Sequence, residues 1–258
     1  MEGTPAGLEG ALARTEDDLD AAIKSANATA AQLKRAKKAA AAGILRDLEK
    51  GLEMAEQLAA ALRDSVKGAR AGWNFDGRAY LESGDFTTEV LELGLAQGLS
   101  LAEQDDQIVS YPSLVRVLPN DAAVEIDRKR HRGIRPSVLV ETLRAAQARP
   151  PKFRPDAFIE SLQKAYEWIR ASQDKEPVAV VRLTDIYRVL TVMPGQSVAY
   201  SQQEFVRDIY LLDESGHEHT RDGERMTLPA SSGTRTPSTL TTVMKNGRVK
   251  VYYGIDFR

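Results

Sequence analysis

Residues 177–216 read PVAVVRLTDIYRVLTVMPGQSVAYSQQEFVRDIYLLDESG, and the reading of this stretch decides the fold. It opens on a short apolar run, Val178-Ala179-Val180-Val181-Arg182-Leu183, of the length of a buried strand. A helical pattern follows from Thr184 to Met193, with Ile186, Tyr187, Leu190 and Met193 on one face, and Pro194-Gly195 stops it. Ser201 opens a second helix. Glu204 stands at the capping-box spacing, in which each side chain accepts from a backbone N–H that the helix leaves unpaired. Phe205, Val206, Ile209 and Leu212 form its apolar side, and Gly216 ends it. Beyond it, Asp222-Gly223 and Asn246-Gly247 tolerate the positive φ angles of two-residue hairpin turns. Upstream, a helix from Asp156 to Ala171 gathers Phe158, Ile159, Leu162, Tyr166 and Ile169 on a common face. The predicted order is helix, strand, helix, helix, hairpin and strand pair.

That order resembles a winged helix-turn-helix domain over about the last 100 residues, by topology. The resemblance implies that the second helix reads bases and that the hairpin forms a wing. On that helix Gln202, Gln203 and Arg207 lie off the apolar stripe, and Gln and Arg pair bidentately with base edges. Asp208, Asp213 and Glu214 turn its far end acidic. The wing would carry Arg221, Arg225, Arg235, Lys245, Arg248 and Lys250; such cations also guard strand edges against sheet-to-sheet association. Ser231–Ser238 reads as the wing's tip or an extension of it. Winged helices dock proteins as well as DNA, and this mixture of charges fits both.

The rest of the chain sets bounds. Its 258 residues suffice for one large domain or two small ones with an extension, and 42% hydrophobic with 28% charged residues describes a packed protein. With 35 basic and 37 acidic residues the net charge is −2, so only local patches can attract nucleic acid. No cysteine is present, which removes disulfides, thiolate zinc sites and Cys nucleophiles, and fits a reducing cytoplasm. No apolar run reaches membrane-spanning length, so no membrane partner is expected.

Residues 8–70 read as helix nearly throughout, rich in Ala, Leu, Glu, Lys and Arg. Leu8, Leu12, Leu19, Ile23, Leu33, Leu48, Leu52, Leu62 and Val66 recur at three-four spacing, close to a coiled-coil seam. The seam rotates near Ala39–Gly43, where one long helix drifts or two fold into a hairpin. An Ala-rich seam holds an isolated helix weakly, so the arm is expected to need a partner: a second copy, another subunit, or its own other half. Gly68, Gly72 and Gly77, around Trp73 and Phe75, mark a boundary. Then come a helix from Phe86 to Gln97, strand-like runs at Ser100–Glu103, Ile108–Leu118 and Ala122–Asp127, and a helix from Pro136 to Arg149. Pro150, Pro151 and Pro155 form a stiff linker.

The densest basic run is Arg128, Lys129, Arg130, His131, Arg132 and Arg135, directly before a helix start. Such side chains, with the unpaired N–H groups of a helix N-terminus, suit phosphate oxygens, or make a solvated loop paired to Asp105, Asp106 or Glu125. The same region resembles the hairpin of PD-(D/E)xK nucleases, in which an Asp and an acid-x-Lys gather magnesium and an activated water. The candidates here are Asp121, Glu125, Asp127 and Lys129. Ser113 stands where the family has its first Asp, and Asp127 where a Lys would follow Glu125; a register shift to Asp127-x-Lys129 recovers an acid-x-Lys. His217 and His219 share a strand side without further ligands nearby, and neither a metal site nor a cofactor is expected.

The expectation is an α+β protein: a coiled-coil arm over 1–70, an α/β middle over 73–150 and a winged helix over 151–258. The function expected is that of a non-enzymatic adaptor in a larger cytoplasmic complex. Its arm assembles an oligomer, with itself or another subunit. Its nucleic-acid contacts to duplex DNA are Arg128, Lys129, Arg130, Arg132, Arg135, Gln202, Gln203, Arg207, Lys245, Arg248 and Lys250. The alternatives are a protein-interaction subunit without nucleic acid, for example a partner of a coiled-coil ATPase, and a divergent metal-dependent nuclease.

Overall fold

The computed structural model describes residues 7–172, 180–229 and 239–258. The expected loop Gln173–Pro177, the strand start at Val178-Ala179, and Ser231–Ser238 with Arg235 lie outside the described residues. The protein is α+β and divides into two compact units. One is the chain up to Glu89 with Arg135–Ser137; the other is Val90–Ile134 with Val138–Arg258. Most of the middle segment expected from sequence falls in one unit with the C-terminal segment.

The first unit is built on a helical hairpin. Helix α1 spans Leu8–Ala42 and α2 spans Leu45–Gly72. The break is local chemistry. Gly43 takes a left-handed φ of 69°, and its N–H and that of Ile44 close back on the carbonyls of Ala40 and Ala39. The arm therefore partners its own other half. The seam uses small residues: Ala22, Thr29, Ala36 and Ala39 of α1 are buried, as are Gly51, Ala55 and Ala69 of α2. A Cβ on Gly51 would stand 3.1 Å from that of Ala36, so the backbones approach closely there. The short helix α3, Gly77–Glu82, is capped by Asp76, whose Oδ1 accepts from the Ala79 N–H at 3.0 Å. Helix α4, Asp85–Ala96, begins in this unit. Its Glu89 accepts from the N–H groups of Leu8 (2.9 Å) and Glu9 (3.1 Å) and from the Tyr80 hydroxyl (2.8 Å). A carboxylate thus caps α1 where the helix dipole favours one.

In the second unit an antiparallel sheet runs in chain order: β1 Ala102–Gln104, β2 Gln107–Ser110, β3 Ser113–Leu118, β4 Ala123–Ile126 and β5 Lys129–His131. The run expected as one strand over Ile108–Leu118 is two, hinged at Tyr111-Pro112, with Ser110 opposite Ser113. The basic run expected as a loop contributes β5, paired Ile126↔Lys129 and Val124↔His131. Two-residue turns make this possible: Asp105-Asp106 and Asp127-Arg128 all have positive φ, matching the twist of a tight hairpin. One face carries Ile108, Val115, Val124 and Ile126; Val109 and Leu114, on the other, pack against Val243. Helix α5 follows at Pro136–Gln147.

Then come α6 Pro155–Ala171, β6 Val181–Arg182, α7 Leu183–Leu190, α8 Gln196–Ala199, α9 Gln202–Ser215, β7 Met226–Thr227, β8 Leu240–Val243, β9 Val249–Tyr252 and β10 Gly254–Phe257. The expected capping box forms: Ser201 Oγ accepts from the Glu204 N–H at 3.2 Å, and Glu204 accepts from the Ser201 N–H at 2.8 Å. The helix expected over Thr184–Met193 ends at Leu190. A three-stranded sheet has the order β6-β10-β7, and β8 and β9 form a separate hairpin turned at Asn246-Gly247. Ile159, Leu162, Leu183, Ile186, Phe205, Ile209, Leu212 and Ile255 are fully enclosed in one core.

Candidate functional site: a basic cleft

Within the second unit, an open cleft of about 510 Å³ lies between the β5 edge, the end of α5, the 149–154 segment and α9. Lys129, His131, Arg149, Lys152, Arg154 and Arg207 line it, against Asp127 and Asp208 as its only carboxylates. Each cation arrives for a local reason. The Asp127-Arg128 turn reverses the chain so that Lys129 and His131 fall on one side of the sheet. Arg149, Lys152 and Arg154 alternate with Pro150, Pro151 and Pro155, whose fixed φ holds the segment extended without a helix. Arg207 projects from α9 and is anchored: its guanidinium donates to Asp127 at 3.2 Å and to Asp208 at 2.9 Å. Asp127 also accepts from the Leu114 N–H at 3.1 Å, so one carboxylate ties the turn to the helix.

Burial pushes the Asp208 carboxyl above its ordinary value, outweighing Arg207 and the hydrogen bond that the Tyr200 hydroxyl donates at 2.8 Å. Burial, then the charge of Asp208, raises Tyr200. By contrast the side chains of Lys129, Arg149, Lys152 and Arg154 have no hydrogen-bond or ion-pair partner among the described residues, and all four are exposed. A second cavity of about 310 Å³ lies against Gln107, Arg116, Glu125 and the start of α9. There Arg116 and Arg128 meet Glu125, Asp127 and Glu204, two cations against three carboxylates, so it offers no positive excess to an anion.

The expected contacts separate. Lys129 joins the cleft. Arg128 is held by Glu204 at 2.6 Å and Arg130 by Asp121 at 3.0 Å, and Arg132 is exposed in the loop that follows β5. Arg135 belongs to the first unit, where it donates to Glu9 and Glu16, each at 2.7 Å, while Glu9 accepts from the Ser137 N–H at 2.9 Å at the start of α5. The expectation that α9 offers Gln202, Gln203 and Arg207 to bases is corrected for two of the three. Gln203 is buried and donates to Asp105, and Arg207 is engaged as above; only Gln202 is exposed. The physical reason is packing on both sides of the helix, since Phe205, Val206, Ile209, Tyr210, Leu211 and Leu212 are all buried. On the β8–β9 hairpin, Lys250 pairs with Asp213 and lies over the rings of Tyr210 and Tyr252. Lys245 and Arg248 stay exposed at its turn.

Asp121, Glu125, Asp127 and Lys129 do not gather at one point: Asp127 and Lys129 line the cleft, Glu125 lines the second cavity with Asp127, and Asp121 lines neither. Asp121 sits in the 3-10 turn Pro119–Asp121, Glu125 lies opposite Arg116 and Arg130, Asp127 is in the next turn, and Lys129 lies opposite Ile126. Among the described residues no group of three or more His, Asp or Glu is placed to hold a metal ion. His217 pairs with Asp156 at 3.2 Å. No helix of the described residues is long and apolar enough to cross a membrane. Sequence reasoning missed Arg149, Lys152 and Arg154; the available signal was three cations interleaved with three prolines. Compared with protein-family models, curated proteins and solved structures, the chain has no match.

Proposed function

We propose that the protein is a non-enzymatic assembly subunit that grips the sugar–phosphate backbone of duplex DNA in this cleft. The observation that carries the reading is the convergence of Lys129, Arg149, Lys152 and Arg154 without partners. Like charges gathered at one site repel one another until a polyanion neutralises them, and a concave wall focuses their field. The contact is to phosphate rather than to bases, because α9 has its Arg engaged and one of its two Gln buried. Binding of this kind is independent of sequence and steep in salt. The winged-helix reading of the C-terminal region draws support from the order α6-β6-α7-α9-β7-β10 and the β6-β10-β7 sheet, with β8–β9 as an insertion between the last two strands. In this reading the winged helix is a platform that positions Arg207 at the cleft wall.

Fluorescence anisotropy with a labelled duplex of unrelated sequence tests it at low salt. The wild-type chain binds, Lys152→Ala/Arg154→Ala binds more weakly, and Lys245→Ala/Arg248→Ala, whose side chains do not line the cleft, does not differ from wild type. No binding at low salt, or loss only in the hairpin variant, overturns the proposal.

A further inference from the structure

The seam of the helical hairpin is made of small side chains, and several of its large apolar ones are left exposed. Leu19, Ile23 and Leu33 of α1 and Leu52 and Val66 of α2 are each about half exposed (49–57%). Around each helix, at about 100° per residue, these rows lie roughly 70–100° from the buried seam in the same rotational sense. In an antiparallel pair that places both rows on one broad side. The two rows thus form one apolar face, independent of the nucleic-acid reading, while Ile44, Leu45 and Met54 are exposed outside it, and faces of this kind mark interaction sites.

We infer that this face binds the same face of a second copy of the chain, tip to base, as an antiparallel four-helix bundle. Charge identifies the occupant. Along α1 the residues flanking the apolar row change from acidic (Glu16, Asp20) to basic (Lys34, Lys37); along α2 they change from acidic (Glu49, Glu56) to basic (Arg63, Lys67). Asp20 and Lys34 are both seven residues from Asn27, and Leu52 and Val66 are both seven residues from Ala59. Asn27 and Ala59 are in turn both sixteen residues from Gly43 at the tip, hence at one level of the hairpin. A single two-fold axis at that level lays Asp20 on Lys34 of the second copy, brings Glu56 within one residue of its Arg63, and lays each apolar row on itself. Self-complementarity about one axis is what an isologous interface requires. Among the described residues no ion pair joins α1 to α2; Arg63 pairs with its neighbour Asp64 at 3.5 Å and Glu16 accepts from Arg135, whereas the side chains of Asp20, Lys34 and Glu56 have no partner among the described residues. The size agrees as well. A helix pair about 42 Å long and roughly 20 Å wide offers each partner about the 800 Å² of a standard stable interface.

Sedimentation equilibrium on the full chain tests the inference. Wild type gives about twice the 28.4 kDa chain mass. Asp20→Lys/Glu56→Lys alone, or Lys34→Glu/Arg63→Glu alone, places like charges across the axis and weakens self-association about tenfold or more. An equimolar mixture of the two restores a dimer, because every reversed charge then meets its opposite. Circular dichroism checks that each variant keeps its helix content. A monomeric wild type, dimers unmoved by both variants, or a mixture that stays monomeric overturns it.

Discussion

Salt dependence separates the basic cleft from a diffuse attraction, and its size follows from the number of free cations. Lys129, Arg149, Lys152 and Arg154 are available, whereas Arg207 is already neutralised by Asp127 and Asp208. Four phosphate contacts release counterions with a log–log slope of about −3.6, at about −0.9 per contact. Raising salt from about 50 to about 200 mM should then weaken binding through one cleft roughly 150-fold. Lys152→Ala/Arg154→Ala leaves two cations, a slope of about −1.8 and a loss of roughly 12-fold over the same range. Both side chains are exposed and without a partner among the described residues, so truncating them leaves the core intact. The assay is anisotropy at four or more salt concentrations with a duplex of fixed length. A slope that does not change between wild type and variant refutes the assignment, even if affinity at one salt concentration falls.

Two further outcomes test the fold that positions this surface. Gly51→Leu puts a side chain where even a Cβ meets the Cβ and backbone of Ala36 at 3.1 and 3.3 Å, atoms that cannot rotate aside. Overpacking costs about 1–3 kcal/mol, offset by about 0.8 kcal/mol of helix propensity; urea melts followed by circular dichroism should show a net loss, and an unchanged midpoint would mean that the seam is loose. For Glu204, burial pushes the carboxyl up, but hydrogen bonds from Arg128 and Ser201 together bring it below its ordinary value of 4.5. A carboxyl depressed in the folded state contributes stability that is complete above its unfolded value and is lost as pH falls through its folded one. Denaturant midpoints measured from neutral pH into acid should therefore fall more steeply for wild type than for Glu204→Gln, and parallel curves would contradict the pairing.

What the sequence disclosed depended on whether the deciding interaction was local. The Ser201/Glu204 box, the Gly43 break region, the Gly216 stop and the Asn246-Gly247 turn are all local, and each appears where the residues place it. The β5 strand was hidden because Asp127-Arg128 is not a usual two-residue turn. Its positive φ angles stand beside bonds that Asp127 makes to Leu114 and Arg207, the second from 80 residues away. Helix α9 misled for the converse reason. Its amphipathic stripe was visible, but the covering of its second side by Tyr111, whose ring meets Tyr210 edge-on, and by the Gln203–Asp105 bond is a tertiary event. The cleft shares that origin: β5, the proline segment and α9 supply its cations from three separated stretches. In the hairpin the large residues stood out in the sequence, yet the Ala and Gly positions between them make the seam, because close backbone approach needs small side chains.

The two proposals meet in one observable and can fail separately there. A single cleft on a duplex gives a slope of about −3.6, so a dimer that lays both clefts on one duplex gives about −7. The gain is one of valency, since the second contact forms at the effective concentration set by the first. Breaking the dimer should halve that slope in both charge-reversal variants, although one adds cations and the other removes them. An electrostatic change unrelated to assembly would instead move the two in opposite directions. If the slope stays near −3.6 in a chain that sediments as a dimer, each cleft holds its own duplex, and stoichiometric titration should then find two duplexes per dimer. A steep slope from a monomer would leave the cleft standing and remove the hairpin face from the account.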